Sequence, residues 1–281
     1  VWLSLRTPDE PEKIDGLIGS ALDSNVPIDI SRQPGLWGGR VRGKEVFLTC
    51  SGNLNYENAV DEQHAHDLTS ADLIQTLSSI GREYIDIYFL RLQRAVEEFQ
   101  ISGVLEALEL ARQEGHIRYI GLHCDGSPFA ALATWQFHDA FDLIQVNRNP
   151  IDHSAYDTLR PLAKERRVGI VTSNPIEWRD GVPFTSFPGP WRLRNLCKSF
   201  YGQTIGQAVI ASLSEDHPVL VGVSNQQEVE EALEAPGKPK PEGLDSYLEP
   251  FVLAYEDEDQ WRELASGQNA GLRIAAARRS R

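Results

Sequence analysis

Methionine is absent from all 281 residues, where a chain of this length ordinarily carries several. Cysteine is scarce: Cys50, Cys124 and Cys197 are an odd, widely spaced set. That excludes a disulfide framework and implies a reducing compartment. No apolar run approaches the length of a membrane span. Residues 1–11 lack the layout of a signal peptide, so a cytoplasmic location is the expectation. Basic residues are also few, with 27 Lys and Arg against 41 Asp and Glu and a formal net charge of −14. A surface of that sign repels phosphate backbones and anionic lipid, so neither nucleic acid nor membrane is an expected partner. A small molecule is. The sequence is silent on oligomeric state.

The remaining composition is that of an ordinary globular chain, 41% hydrophobic and 24% charged, long enough to bury a large core without staples. Strand-like and helix-like segments alternate. Residues 1–5 form a short apolar run, and Thr7-Pro8-Asp9-Glu10 has the layout of a helix start. Ile14, Leu17, Ile18, Ala21 and Leu22 follow at helical spacing. Strands are expected over 26–30, 45–49, 84–90, 119–122, 141–146, 168–172 and 219–223. Helices are expected over 104–115, 129–137, 156–165, 204–213 and 226–233, and another opening on a capping box at Thr69–Asp72. With a short element between Pro34 and Gly43, this makes eight strand–helix units.

Eight such units in this length predict an α/β fold, a closed parallel (β/α)8 TIM barrel, in preference to a doubly wound sheet. A doubly wound sheet usually carries a glycine-rich phosphate turn after its first strand, and none follows Leu5. The expected division is a barrel over 1–234 and an irregular extension over 235–281. In the extension, a Pro/Gly/Lys linker (235–243) precedes an acidic segment and a basic tail.

Two motifs read as decoys. Gly38–Lys44 fits the first positions of a P-loop, but Glu45 stands where a Mg²⁺-binding hydroxyl is needed and a strand follows. His64-Ala65-His66-Asp67 reads as a polar loop without a further ligand nearby, so no metal site is expected. The informative positions are the C-terminal ends of the strands, which face the active site of a barrel. They supply Asp29 with Ser31, then Cys50, Arg91, and His123 with Cys124 and Asp125. Further round come Gln145 with Asn147 and Arg148, Ser173 with Asn174, and Ser224 with Asn225. Such a polar mouth suits a small-molecule pocket.

Ordered motifs along the chain carry a resemblance. They are Arg82-Glu83-Tyr84-Ile85-Asp86-Ile87-Tyr88-Phe89-Leu90, then Glu106-Ala107-Leu108, and Gly115-His116-Ile117-Arg118-Tyr119-Ile120-Gly121-Leu122. Ile144-Gln145-Val146-Asn147 and Val219-Leu220-Val221-Gly222-Val223-Ser224-Asn225 complete the set. From Val1 to about Leu233 the chain resembles the aldo-keto reductase family. The resemblance implies a (β/α)8 barrel that binds NADPH at its C-terminal face and reduces carbonyls with an Asp–Tyr–Lys–His tetrad.

Asp29 sits where the family Asp would, but Pro34 stands near the Tyr position, Cys50 near the Lys and Arg91 at the His. Gln145 matches a carboxamide-binding Gln, whereas His123-Cys124 replace a Ser-Asn pair and Ser173 a stacking aromatic. Ser224 and Asn225 remain candidates for a cofactor phosphate, although Glu228, Glu230 and Glu231 place negative charge beside them. NADPH is therefore possible but no cofactor is favoured.

Three readings stay open. One is a non-redox lyase, dehydratase, cyclase or isomerase using Asp29, Arg91, His123, Asp125 and Cys50, with Arg148, Asn147 and Ser173 binding substrate. Another is an NADPH-dependent oxidoreductase with an altered proton donor. The last is a non-catalytic binding or regulatory barrel, a pseudoenzyme. Arg91 is expected to reach across the mouth and pair with Asp29, holding that carboxyl low.

Overall fold

The computed structural model describes residues 1–6, 14–176, 197–199, 201–246 and 248–249. Eight parallel strands close in sequence order into a barrel: β1 Trp2–Leu5, β2 Ile28–Asp29, β3 Leu48–Ser51, β4 Ile85–Leu92, β5 Ile117–Cys124, β6 Leu143–Asn147, β7 Gly169–Ser173 and β8 Val219–Val223. The helices are α1 Ile14–Asp23, α2 Pro34–Trp37, α3 Glu62–Ile80, α4 Glu98–Gln113, α5 Pro128–Phe137, α6 Ser154–Arg166, α7 Ile205–Ser214 and α8 Gln226–Glu234. The helix start expected at Thr7–Glu10, most of the connection after Asn174 and the chain beyond residue 250 lie outside the described residues.

The strands are near-continuous runs of Ile, Leu, Val and Phe because both faces are buried. One face packs under the helices and the other fills the barrel. Leu17, Ile18 and Ala21 bury the inner stripe of α1, as Val104, Ala107, Leu108 and Ala111 do for α4. The segment read as a Pro/Gly/Lys linker lies against the barrel. Ala235 and Pro241 are buried, and Gln203 Nε2 donates to Pro239 O at 2.9 Å.

Several local expectations change. Helix α3 begins well before Thr69. Asp61 is its N-cap, accepting from His64 N at 2.8 Å. Thr69 lies inside the helix, with its hydroxyl on Ala65 O at 2.9 Å. His64 and His66 therefore sit on the first turns of a helix, not in a loop. Helix α4 also starts earlier than expected, behind a Glu97–Gln100 capping box.

The strand expected over 45–49 pairs instead over 48–51. That shift matters at the mouth. Thr49 Oγ1 and Ser51 Oγ both bond groups on the inner face of the barrel, so Cys50 between them points outwards under the helices.

Candidate functional site

The C-terminal mouth of the barrel opens into a cavity of about 540 Å³. It gathers side chains from nearly every strand, among them Asp29, Ser51, Arg91, His123, Asp125 and Gln145.

Asp29 ends β2 and is buried among hydroxyls. Ser31 Oγ donates to Oδ2 at 2.6 Å, Ser4 Oγ to Oδ1 at 3.1 Å and Thr49 Oγ1 to Oδ2 at 3.3 Å, with Ser31 N near Oδ1 at 3.4 Å. Burial outweighs these donors and pushes the Asp29 carboxyl above its ordinary range. Ser31 Oγ in turn accepts the Ser51 N–H at 2.7 Å, so the Asp29 cluster anchors the end of β3.

Ser51 Oγ lies 2.9 Å from His123 Nδ1. On the other side of the ring, Gln145 Nε2 is 3.1 Å from His123 Nε2, and Asp125 Oδ1 is 4.0 Å from the same nitrogen. Phe89 meets the imidazole edge-on at 6.4 Å. Burial lowers the His123 pKa to about 4, with Asp125 opposing that shift and Arg91 reinforcing it. The imidazole is thus neutral at pH 7 and available to take a proton.

Arg91 does not pair with Asp29. Its Nε and Nη2 both reach Asp125 Oδ2, at 2.8 and 2.5 Å, and Gln93 Nε2 joins them at 2.9 Å. The reason is register. Asp29 aligns through Thr49 with Ile87 on β4, and Arg91 lies four residues further towards the rim, 91 against 87. That offset is about 13 Å along an extended strand. The β5 loop brings Asp125 to the same height, because Arg91 aligns with His123. The expectation of a depressed Asp29 pKa falls with the pair. The low carboxyl is instead Asp125. Burial pushes it up, but Gln93, His123 and Arg91 together prevail.

Of the other expected site residues, Cys50 and Ser173 border the cavity and Asn147 and Arg148 do not. Cys50 contributes to its wall, but Sγ is turned towards Ser51 O at 3.6 Å. Burial, then Asp29 and Asp72, push its thiol well up, so no thiolate forms. Arg148 faces outwards, stacked over Tyr156 at 4.1 Å and paired with Asp216 at 3.2 Å. Asn147 accepts from Ser173 Oγ at 2.9 Å and Asn174 Nδ2 at 2.8 Å, tying β6 to β7. Ser173 borders the cavity with that hydroxyl already engaged. Asn147 and Arg148 thus spend their polar groups on neighbouring side chains of the chain itself.

Ser224 and Asn225 begin α8. Asn225 caps the helix, accepting from Glu228 N at 3.0 Å, and the Glu228 carboxylate folds back onto Ser224 N at 2.6 Å. The helix start is satisfied by its own side chains.

Residues missed in the sequence complete the wall. They include Ser4, Ser51, Arg6, Arg32, Asn53 and Asp72. Ser51 was recoverable, since a one-residue change in the phase of β3 exchanges it with Cys50. Asp72 comes from the middle of α3 and carried no such signal. It is held by Asn53 N at 3.0 Å and by the Tyr88 hydroxyl.

No protein-family model matches the chain, and no curated protein sequence matches it. Solved structures do. An aldo-keto reductase from Klebsiella pneumoniae in complex with NADPH aligns over 89% of this chain and 90% of its own, with TM-score 0.70 and 16% identity. An aldose reductase from Giardia lamblia aligns over 89% and 92%, with TM-score 0.66 and 13% identity. A Bombyx mori aldo-keto reductase in complex with NADP covers 96% and 94%, with TM-score 0.65 and 15% identity. The chain has the aldo-keto reductase fold.

Whether this aldo-keto-reductase-like barrel can hold NADPH in the manner of the resemblance is a question of its own residues. The α8 start, where a phosphate would sit, is filled by the Glu228 carboxylate, and Gln145 is turned into His123 rather than into open space. As arranged, neither position fits the cofactor.

Proposed function

We propose that the barrel binds a small, oxygen-rich molecule in its mouth and acts on it by proton transfer rather than hydride transfer, in the manner of a lyase, dehydratase or isomerase. One observation carries the reading. A neutral imidazole, His123, is held between Ser51 and Gln145 on the cavity wall, beside the Arg91–Asp125 fork. A base with a lowered pKa and a neighbouring cation is what abstraction of a proton next to a carbonyl or carboxylate requires. Arg32, exposed at the rim, adds a further cation for an anionic substrate. Pro34 borders the cavity at the position the resemblance gives to a tyrosine, and it has no O–H to protonate an alkoxide.

The competing reading, an NADPH-dependent oxidoreductase, is favoured by the NADP(H) complexes among the structural neighbours. An NADPH titration followed by tryptophan fluorescence separates the two, since six tryptophans report on the chain. No saturable change through the micromolar range is expected. Saturation there, with oxidation of the nicotinamide by added aldehydes, would restore the reductase.

A further inference from the structure

We propose that Ser51 is a nucleophile activated by His123, and that the barrel cleaves small esters or similarly activated acyl compounds through an acyl-Ser51 intermediate. This goes beyond the lyase, dehydratase or isomerase reading and shares with it only the assignment of His123 as the base.

The geometry brings together a nucleophile, a base and a carboxylate. Ser51 ends β3 on the inner face and borders the cavity. Its Oγ is 2.9 Å from His123 Nδ1, within the reach that a nucleophile–base pair needs. Its backbone N–H is pinned by Ser31 Oγ, and that hydroxyl by Asp29, both within 2.7 Å. Asp29 is thus a positioning residue for the nucleophile. Beyond the ring, the Asp125 carboxylate stands 4.0 Å from Nε2, near enough to stabilise the imidazolium that forms when Ser51 gives up its proton. The Arg91 fork and Gln93 hold that carboxylate in place.

Which end of the Gln145 amide meets the ring sets the tautomer, and the proposal requires the oxygen there. With its Nε2 against the ring, His123 carries its proton on Nδ1 and Gln145 Oε1 is left buried without a donor. With the amide turned over, Oε1 accepts from His123 Nε2–H, its nitrogen takes the place Oε1 held, and Nδ1 is bare. A bare Nδ1 is the form that accepts the Ser51 proton. Arg91 uses Nε and Nη2 for Asp125, which leaves Nη1 as a donor for the developing oxyanion.

The step balances without a cofactor. Ser51 Oγ attacks the carbonyl carbon as its proton passes to His123 Nδ1. The bond to the alkoxy oxygen then breaks, and Nδ1 returns the proton to the leaving alcohol. Water repeats the sequence on the acyl-Ser51, releasing the acid and restoring the hydroxyl.

The test is labelling of the full chain with a fluorophosphonate. In that reaction the P–F bond breaks, an O–P bond to serine forms, and fluoride leaves. The expected result is a single adduct per chain by intact mass, mapped to the peptide carrying Ser51, and none in Ser51→Ala. Labelling by His123→Asn should be about a hundredfold slower, with both variants shown folded by circular dichroism. Para-nitrophenyl acetate hydrolysis should fall in parallel.

Mapping on the wild-type chain decides the matter even if a variant does not fold. A folded wild type that takes no label, or takes it on another residue, overturns the proposal. If Ser51→Ala keeps a turnover that His123→Asn loses, the nucleophile fails and the acid–base reading stands. If neither variant differs from wild type, both fail.

Discussion

His123 is the residue on which the site turns, and its titration has a measurable sign. Its folded pKa is about 4 against an ordinary 6.5, lowered first by burial. Between those values the unfolded chain binds a proton that the folded chain does not. Stability therefore rises with pH across this window and is lost on acidification, by about 3 kcal/mol in all. Asp29 works in the opposite sense, since its raised folded pKa lets the folded state keep a proton as pH falls. The wild type alone would show only the sum. His123→Asn should therefore lose less stability than wild type between pH 7 and pH 5 in urea unfolding. Equal losses would mean that His123 is solvated and free to charge. Asp29, Arg91, His123, Asp125 and Gln145 were all legible as strand ends. Their pairing was not, because which carboxylate meets Arg91 depends on the register of β2, β3 and β4.

At the scale of elements, α3 and α4 approach so closely that a glycine is required between them. A Cβ built on Gly103 would lie 2.1 Å from Glu62 O and 2.8 Å from the Ala65 Cβ. Both obstacles are backbone or backbone-linked, so neither can swing aside. Gly103→Ala should cost about 1–3 kcal/mol, read as a lowered urea midpoint with an unchanged slope. An unchanged midpoint would mean that the helices separate freely. The pair matters to function because α3 carries Asp72 into the cavity wall. The early start of α3 escaped the sequence reading for a physical reason. A capping signal at Thr69 looks the same whether it opens a helix or lies inside one, and packing against α4 makes the difference.

For the whole molecule, the net charge of −14 opposes binding to a polyanion. A labelled DNA duplex at 0.15 M salt should show no change in anisotropy on addition of the chain. A salt-sensitive rise would reveal a basic patch that the sum of charges conceals. Among the described residues no helix is long and apolar enough to cross a membrane.

The sequence by itself determined the barrel and the polar character of its mouth. Alternating apolar runs of strand and helix period leave a chain of this length few ways to bury both faces of eight parallel strands. It also put Pro34, which has no O–H to give whatever the fold, near the place the resemblance assigns to a tyrosine. Tertiary structure decided the rest. The phase of one short strand placed Ser51, not Cys50, on the inner face. Inter-strand register paired Arg91 with Asp125 and left Asp29 among hydroxyls. Burial, which no spacing of residues encodes, left the His123 imidazole neutral.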